Sequence, residues 1–185
     1  MRASALLPRL YRGYFGRDMI CDMRKLQKAY AASEKSIETD GKTDEEIDAE
    51  KKDAQLSVTD LTIFENVAWL MLKHGGEKVG DNPDDWLDSI DGVFSIYEIL
   101  PQILEMWNIN NATTSKPKKK VKATTREPNG AIFMLRCAEL HLSDDALGSM
   151  TMGMIYDMYT EKANDQEQYP IKATQEDIVA FFGEG

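Results

Sequence analysis

The residue types that most often do chemistry are few in this chain and poorly spaced for it. There are two histidines, His74 and His141, and two cysteines, Cys21 and Cys137. The histidines lie far apart and neither belongs to a two-His metal spacing. His74 precedes Gly75-Gly76, and His141 closes an apolar-periodic segment. Both positions suit a cation meeting the carbonyl end of a helix. Each cysteine sits in a helical apolar pattern, which fits a small buried thiol better than a nucleophile. Two cysteines build no disulfide framework, and free thiols belong in a reducing compartment. Asp84-Asp85 and Asp144-Asp145 look like acid–base pairs. Both fall at helix starts, where carboxylates offset the helix dipole. The 12 glycines are scattered, and none forms a phosphate-cradling loop. The residues therefore assign no catalytic, metal or cofactor site, and the expectation is a protein that is not an enzyme.

Two other patterns bear on binding. Lys116 to Arg126 holds six basic residues and no acid. With no aromatic interleaved, the run offers bases nothing to stack on, so a solvated tether is expected before a nucleic-acid site. Five of the 10 methionines lie between Met134 and Met158. Met150, Met154 and Met158 recur every four residues, with Tyr156 and Tyr159 beside them. Methionine is flexible and polarizable, suited both to core filling and to adaptable docking faces.

These features must be carried by helices. No stretch shows sustained period-two alternation, so the chain is expected to be all-α. Met19, Ile20, Met23, Leu26, Tyr30 and Ile37 recur at helical spacing. Thr43-Asp44-Glu45-Glu46 fits a capping box that opens a charged helix as far as Asp53. A core helix begins near Ser57 or Thr59, carries Leu61, Phe64, Val67, Ala68, Met71 and Leu72, and stops at Gly75-Gly76. Asn82-Pro83-Asp84-Asp85 starts another helix. Pro101 either kinks one helix across Ser95–Trp107 or begins a second. Further helices are expected at Ala131–Leu140, at Ser143 to Gly148, and from a Thr151 cap to about Ala163 with Asp157 and Glu161 facing away. A last one follows the Thr174-Gln175-Glu176-Asp177 cap and ends at Phe181-Phe182.

Charge divides the chain. Its 185 residues carry a formal net charge of −10. Such a chain is not a generic nucleic-acid binder, because phosphate neutralisation needs an excess of Lys and Arg. Two acidic stretches flank the cationic strap. The expected division is a helical module at 1–109, a Lys/Thr-rich linker at 110–128 and a small helical module at 129–185. A flexible linker of that length separates its ends by roughly 25 Å. The C-terminal module is small enough to be marginal alone. The longest apolar run, Val67–Leu72, is far shorter than a membrane span of about 20 residues. Pro8 and Arg9 interrupt the apolar start before a signal peptide's hydrophobic region is complete.

Several segments resemble the tail assembly chaperones of long-tailed phages infecting Gram-positive bacteria. They are Trp86-Leu87-Asp88-Ser89, Phe94 to Pro101, Leu104 to Asn110, and Thr113-Thr114-Ser115-Lys116-Pro117-Lys118-Lys119-Lys120. Leu135 to Leu140, Met150 to Met158 and Tyr169 to Asp177 resemble the extension of that family's longer, frameshifted product. The likeness covers most of the chain from Phe15 onward and is weakest at Thr43–Asp53 and over the first 14 residues. It implies a chaperone that coats the tape measure protein, recruits tail tube subunits through its extension, acts in the host cytoplasm and is absent from the finished virion. Phe94, Ile96 and Trp107 are then candidates for tape measure contact, and Met150, Met154, Tyr156, Met158 and Tyr159 for the major tail tube protein. Self-association is a further option, with no membrane and no nucleic acid among the partners. Consecutive codons at Lys118-Lys119-Lys120 would supply the slippery run that a frameshift needs. The competing class is a cytoplasmic helical adaptor whose basic strap touches RNA or DNA, and steep salt dependence would distinguish it.

Overall fold

A computed structural model describes residues 1–37, 58–91, 96–118 and 125–165. Among them there are eight helices and no strand. They are α1 (Leu7–Phe15), α2 (Met19–Ile37), α3 (Val58–His74), α4 (Pro83–Asp88), α5 (Ile96–Asn111), α6 (Gly130–Glu139), α7 (Asp144–Ser149) and α8 (Met152–Asn164). The protein is all-α, as its periodicity requires. The capping box at Thr43, the helix it was expected to open, and the helix after Thr174 lie outside the described residues.

α3 is the centre. Ile63, Phe64 and the run Val67 to Met71 are buried, so nearly its whole circumference is covered. α1 and α2 pack on it from one side, α4 and α5 from others. The helix ends where Gly76 takes a φ of 89°, a conformation that costs a side-chain-bearing residue about 1 kcal/mol or more. The Asn82 side chain accepts the Asp85 N–H at 2.8 Å and so caps α4. α5 runs through Pro101 as one helix, burying Leu100, Ile103, Leu104 and Trp107.

The second half does not stand apart. α6 packs on α1, α2 and α8, and α8 packs on α5. Phe133, Cys137, Leu147, Met152 and Ile155 join the same apolar cluster as α1–α5. The segment 129–164 is thus docked on the N-terminal helices, where the sequence suggested a loosely tethered unit.

The strap also differs from a slack coil. Asn110 and Asn111 belong to α5. The Asp157 carboxylate accepts the Thr114 N–H, the Ser115 N–H and the Thr114 hydroxyl at 2.8–2.9 Å. Asn164 accepts the Lys118 N–H at 2.8 Å and donates to the Lys116 carbonyl at 3.0 Å. Asp157 therefore does not face away, because the strap runs along its side of α8. Of the remaining linker residues, 119–124 lie outside the described set, and Arg24 of α2 holds the Glu127 carboxylate and the Pro128 carbonyl.

A buried polar cluster ties α1 to α2. Asp22 is 4% exposed at its side chain. It accepts Tyr11 Oη at 3.0 Å and two donors of Arg17 at 2.7 and 2.8 Å. Burial, then the Asp22 charge, pushes the Tyr11 phenol well above its ordinary value, so it stays a donor. We expect Asp22→Ala to lose about 2–4 kcal/mol, because it leaves a phenol and a guanidinium unpaired. Tyr11→Phe should lose only about 1 kcal/mol, since Arg17 still holds the carboxylate. Urea denaturation of the two variants checks the order.

Gly153 is where the strap passes closest to α8. A Cβ built there would overlap the Ala112 carbonyl, a backbone atom with no rotamer to escape into. Gly153→Ala should therefore cost about 1–3 kcal/mol by overpacking, although alanine is the better helix former. Faster amide exchange at Thr114 and Ser115 would locate the damage at the strap.

Candidate partner-docking surface

α8 carries four of the eight candidate contact residues, Met154, Tyr156, Met158 and Tyr159, and its position decides which of them are free. Thr151 caps it by accepting the Met154 N–H at 3.1 Å. Gly153, Asp157 and Asn164 line one side under the strap. Met152 and Ile155 are buried. Tyr156 meets the ring of Phe133 edge-on, with centroids 5.6 Å apart. Arg136 lies 4.3 Å from the Tyr159 ring centroid and donates to its hydroxyl at 2.6 Å. Lys162 reaches the Glu139 carbonyl at 2.9 Å, completing the α6 side. Strap and α6 leave the arc that holds Met154 and Met158, and these side chains are 48% and 38% exposed.

The five candidates near α8 therefore separate. Met154 and Met158 face outward one turn apart. Tyr156 and Tyr159 are half-buried against α6, about 200° and about 140° round the helix from Met154 by the 100° step per residue. Met150 is half-buried, and its carbonyl accepts the Ala5 N–H at 2.8 Å. The other group does not form a surface either. Trp107 is 5% exposed within the core, Ile96 is half-buried against it, and Phe94 lies outside the described residues. Lys118 is exposed with its backbone tied to Asn164, while Lys119 and Lys120 lie outside the described residues.

Five exposed large apolar side chains among the described residues, Met1, Tyr14, Leu61, Ile109 and Leu135, were not among the contact candidates. Ile109 is 64% exposed beside a hollow of about 150 Å³ lined by Ala3, Met106, Asn110 and Thr151. Leu135 is 51% exposed on α6. The signal for Ile109 was its place off the 100, 103, 104, 107 stripe that buries α5. Under the same junction Asn110 is buried. Its Oδ1 accepts the Met152 N–H at 3.3 Å, while its Nδ2 has no partner among the described residues. An unmet buried donor costs about 1–3 kcal/mol, so the α5–α8 contact is imperfectly matched.

The residues that first suggested chemistry take structural places. His74 does not act as a cation at the end of α3. Its Nε2 lies 2.8 Å from Ser4 Oγ, and burial, then the nearby Arg2, lowers its pKa. His141 is exposed just past α6, with φ 55°. Burial pushes the Cys137 thiol up to about 11. Burial, then Asp18, raises that of half-buried Cys21. Both thiols are held protonated and weakly nucleophilic. Asp84-Asp85 begin α4 and Asp144-Asp145 begin α7, with Asp144 paired to Arg9. Among the described residues, no three His, Cys, Asp or Glu side chains gather as a metal site, and no helix is long and apolar enough to cross a membrane.

Comparison of the chain with protein-family models, with curated proteins and with solved structures found no match.

Two measurements follow from these contacts. Hydrogen bonds from the Ser115 and then the Thr114 backbone hold the Asp157 pKa below its ordinary value. The strap contact is then fully present above about pH 4 and is lost as pH falls through the lowered pKa. Asp157→Ala should speed tryptic cleavage after Lys118 severalfold at neutral pH, and at a pH below that lowered value the wild-type strap should exchange its amides as fast as the variant's. His74 works in the other pH range. Its folded pKa lies below the unfolded value of about 6.5, so the unfolded chain binds the proton first and stability falls as pH drops below that value. His74→Gln should flatten the fall in Tm between about pH 7.5 and 5.5.

Proposed function

We propose that this protein is a phage tail assembly chaperone of the fused, frameshifted type, which binds the tape measure protein and recruits tail tube subunits in the host cytoplasm. The resemblance of residues 86–120 and 135–177 to that family suggested the role. The observation that carries it is the outward-facing pair Met154 and Met158. They form an adaptable apolar step on a helix whose other sides are already covered. Weak contacts of that kind, repeated over many copies, suit a chaperone that the growing tube must displace. In this reading Met154 and Met158 meet the tube subunit, and exposed Ile109, beside its hollow, joins the surface offered to partners.

The test is co-expression with the tape measure and tail tube proteins encoded beside it, followed by pull-down. Met154→Asp with Met158→Asp changes only exposed side chains, so far-UV circular dichroism and Tm should stay near wild type. Tube-subunit capture should fall at least about tenfold while tape measure capture is kept, the size expected when central apolar anchors are lost. Equal loss of both captures, or of neither, would reject this division of labour.

A further inference from the structure

The first 17 residues carry four arginines, Arg2, Arg9, Arg12 and Arg17, and no carboxylate, in a chain of net charge −10. α1 displays two of them on its outer side. Two hollows flank that side. One of about 380 Å³ lies between Leu6, Leu10, Tyr14 and Asp144, and one of about 190 Å³ between Pro8, Arg12, Ala131 and Met134. Arg9 and Gly13 line both. We propose that this Arg-rimmed double hollow on α1 docks an acidic amphipathic helix of another protein.

Three independent features choose that occupant. The first is charge. Arg9 pairs with Asp144 and Arg17 with Asp22, while Asp18 accepts the Cys21 and Gly130 N–H groups, so among the lining arginines Arg12 is the one whose charge is left for a partner. The Arg12 guanidinium is exposed and has no partner among the described residues, so its five N–H donors face outward. Lys73 adds a cation 5.5 Å from the centroid of the Tyr14 ring. The second is Gly13. It sits inside a helix, yet a Cβ there would meet nothing within 4 Å. Alanine would be worth about 0.5–1 kcal/mol to α1, so glycine is not there for the packing of this chain. It leaves room for a second backbone to cross between the hollows. The third is Tyr14, 51% exposed and braced edge-on against Trp69 with centroids 5.1 Å apart. Tyr14 lines one hollow and exposed Arg12 the other, so a rigid aromatic and an arginine, both common interface anchors, flank the shared Arg9–Gly13 ridge. A helix with Leu-type residues on one stripe and Glu or Asp on both flanks satisfies all three. This surface is separate from the Met154–Met158 step and belongs to none of the contacts assigned under the chaperone reading, so the two stand or fall apart.

The probe is a fluorescein-labelled synthetic helix of roughly 18 residues, with leucine at every third or fourth position and glutamate between. A second peptide carries lysine in place of glutamate. Fluorescence anisotropy with the full chain should show binding of the glutamate peptide at micromolar strength. Arg12→Glu should weaken it at least about tenfold, as should Gly13→Leu, which blocks the crossing point. Lys28→Glu makes the same charge change at an exposed site on α2 and should leave the affinity within about twofold. Arg12 has no partner to lose among the described residues, so Arg12→Glu should keep the wild-type Tm; Arg12→Ala, with a smaller loss, guards against misfolding. Equal weakening by Arg12→Glu and Lys28→Glu, equal binding of the lysine peptide, or no binding would overturn the proposal. So would self-association that Arg12→Glu abolishes, which would hand the hollows to a second copy.

Discussion

The structure depends on one burial. Phe133, Cys137, Leu147, Met152 and Ile155 have too little apolar surface among themselves to close a core, and they complete theirs on helices α1, α2 and α5. A segment as short as 129–164 would bury only a small fraction of its unfolded surface alone, too little to offset the entropy of ordering it. The dependence runs both ways. Without α6 and α8, the outer apolar side chains of α1, α2 and α5 would meet water.

Apolar burial is not directional, so polar contacts must fix where the second half sits. Asp18 does this with one side chain: Oδ1 accepts the Cys21 N–H at the start of α2, and Oδ2 accepts the Gly130 N–H at the start of α6. Two helix N-termini thereby share one carboxylate, which suits the partial positive charge of both. Arg24 clamps the chain entering α6, and Arg2 reaches the Gly148 carbonyl at 2.6 Å. Asp157 and Asn164 then set the register of the strap along α8. Each of these bonds is modest, and together they select one arrangement among many that bury similar area.

That arrangement shapes what the surface can offer. The strap and α6 claim two sides of α8 and leave Met154 and Met158 as the outward pair. The same docking places Ala131 and Met134 against α1 and so builds the wall of the hollow that contains Arg12. Both proposed binding surfaces are thus products of the packing between the two halves. Neither would exist on the isolated segments.

The sequence by itself determined α2 to α8, because they carry their own signals: apolar spacing in α2 and α3, Asn82 with Pro83 before α4, Thr151 before α8; α1, whose short apolar start is interrupted by Pro8 and Arg9, emerged only in the structure. It also determined that α3 is the core helix, since only full burial tolerates apolar residues nearly all round. It did not determine which member of an apolar stripe faces a neighbour. Trp107 and Met154 have equally good claims to exposure in sequence, and only the contacts of α5 and α8 separate them. The strap's Lys-rich composition pointed to a tether, because composition registers charge and missing apolar area but not a single aspartate 43 residues beyond Thr114. Tertiary structure decided that Asp157 accepts its backbone, that His74 stays neutral beside Ser4, and that the two acidic halves share one core. The physical reason is range: caps and periodicity act within a few residues, whereas docking depends on surfaces that exist only after the helices have formed.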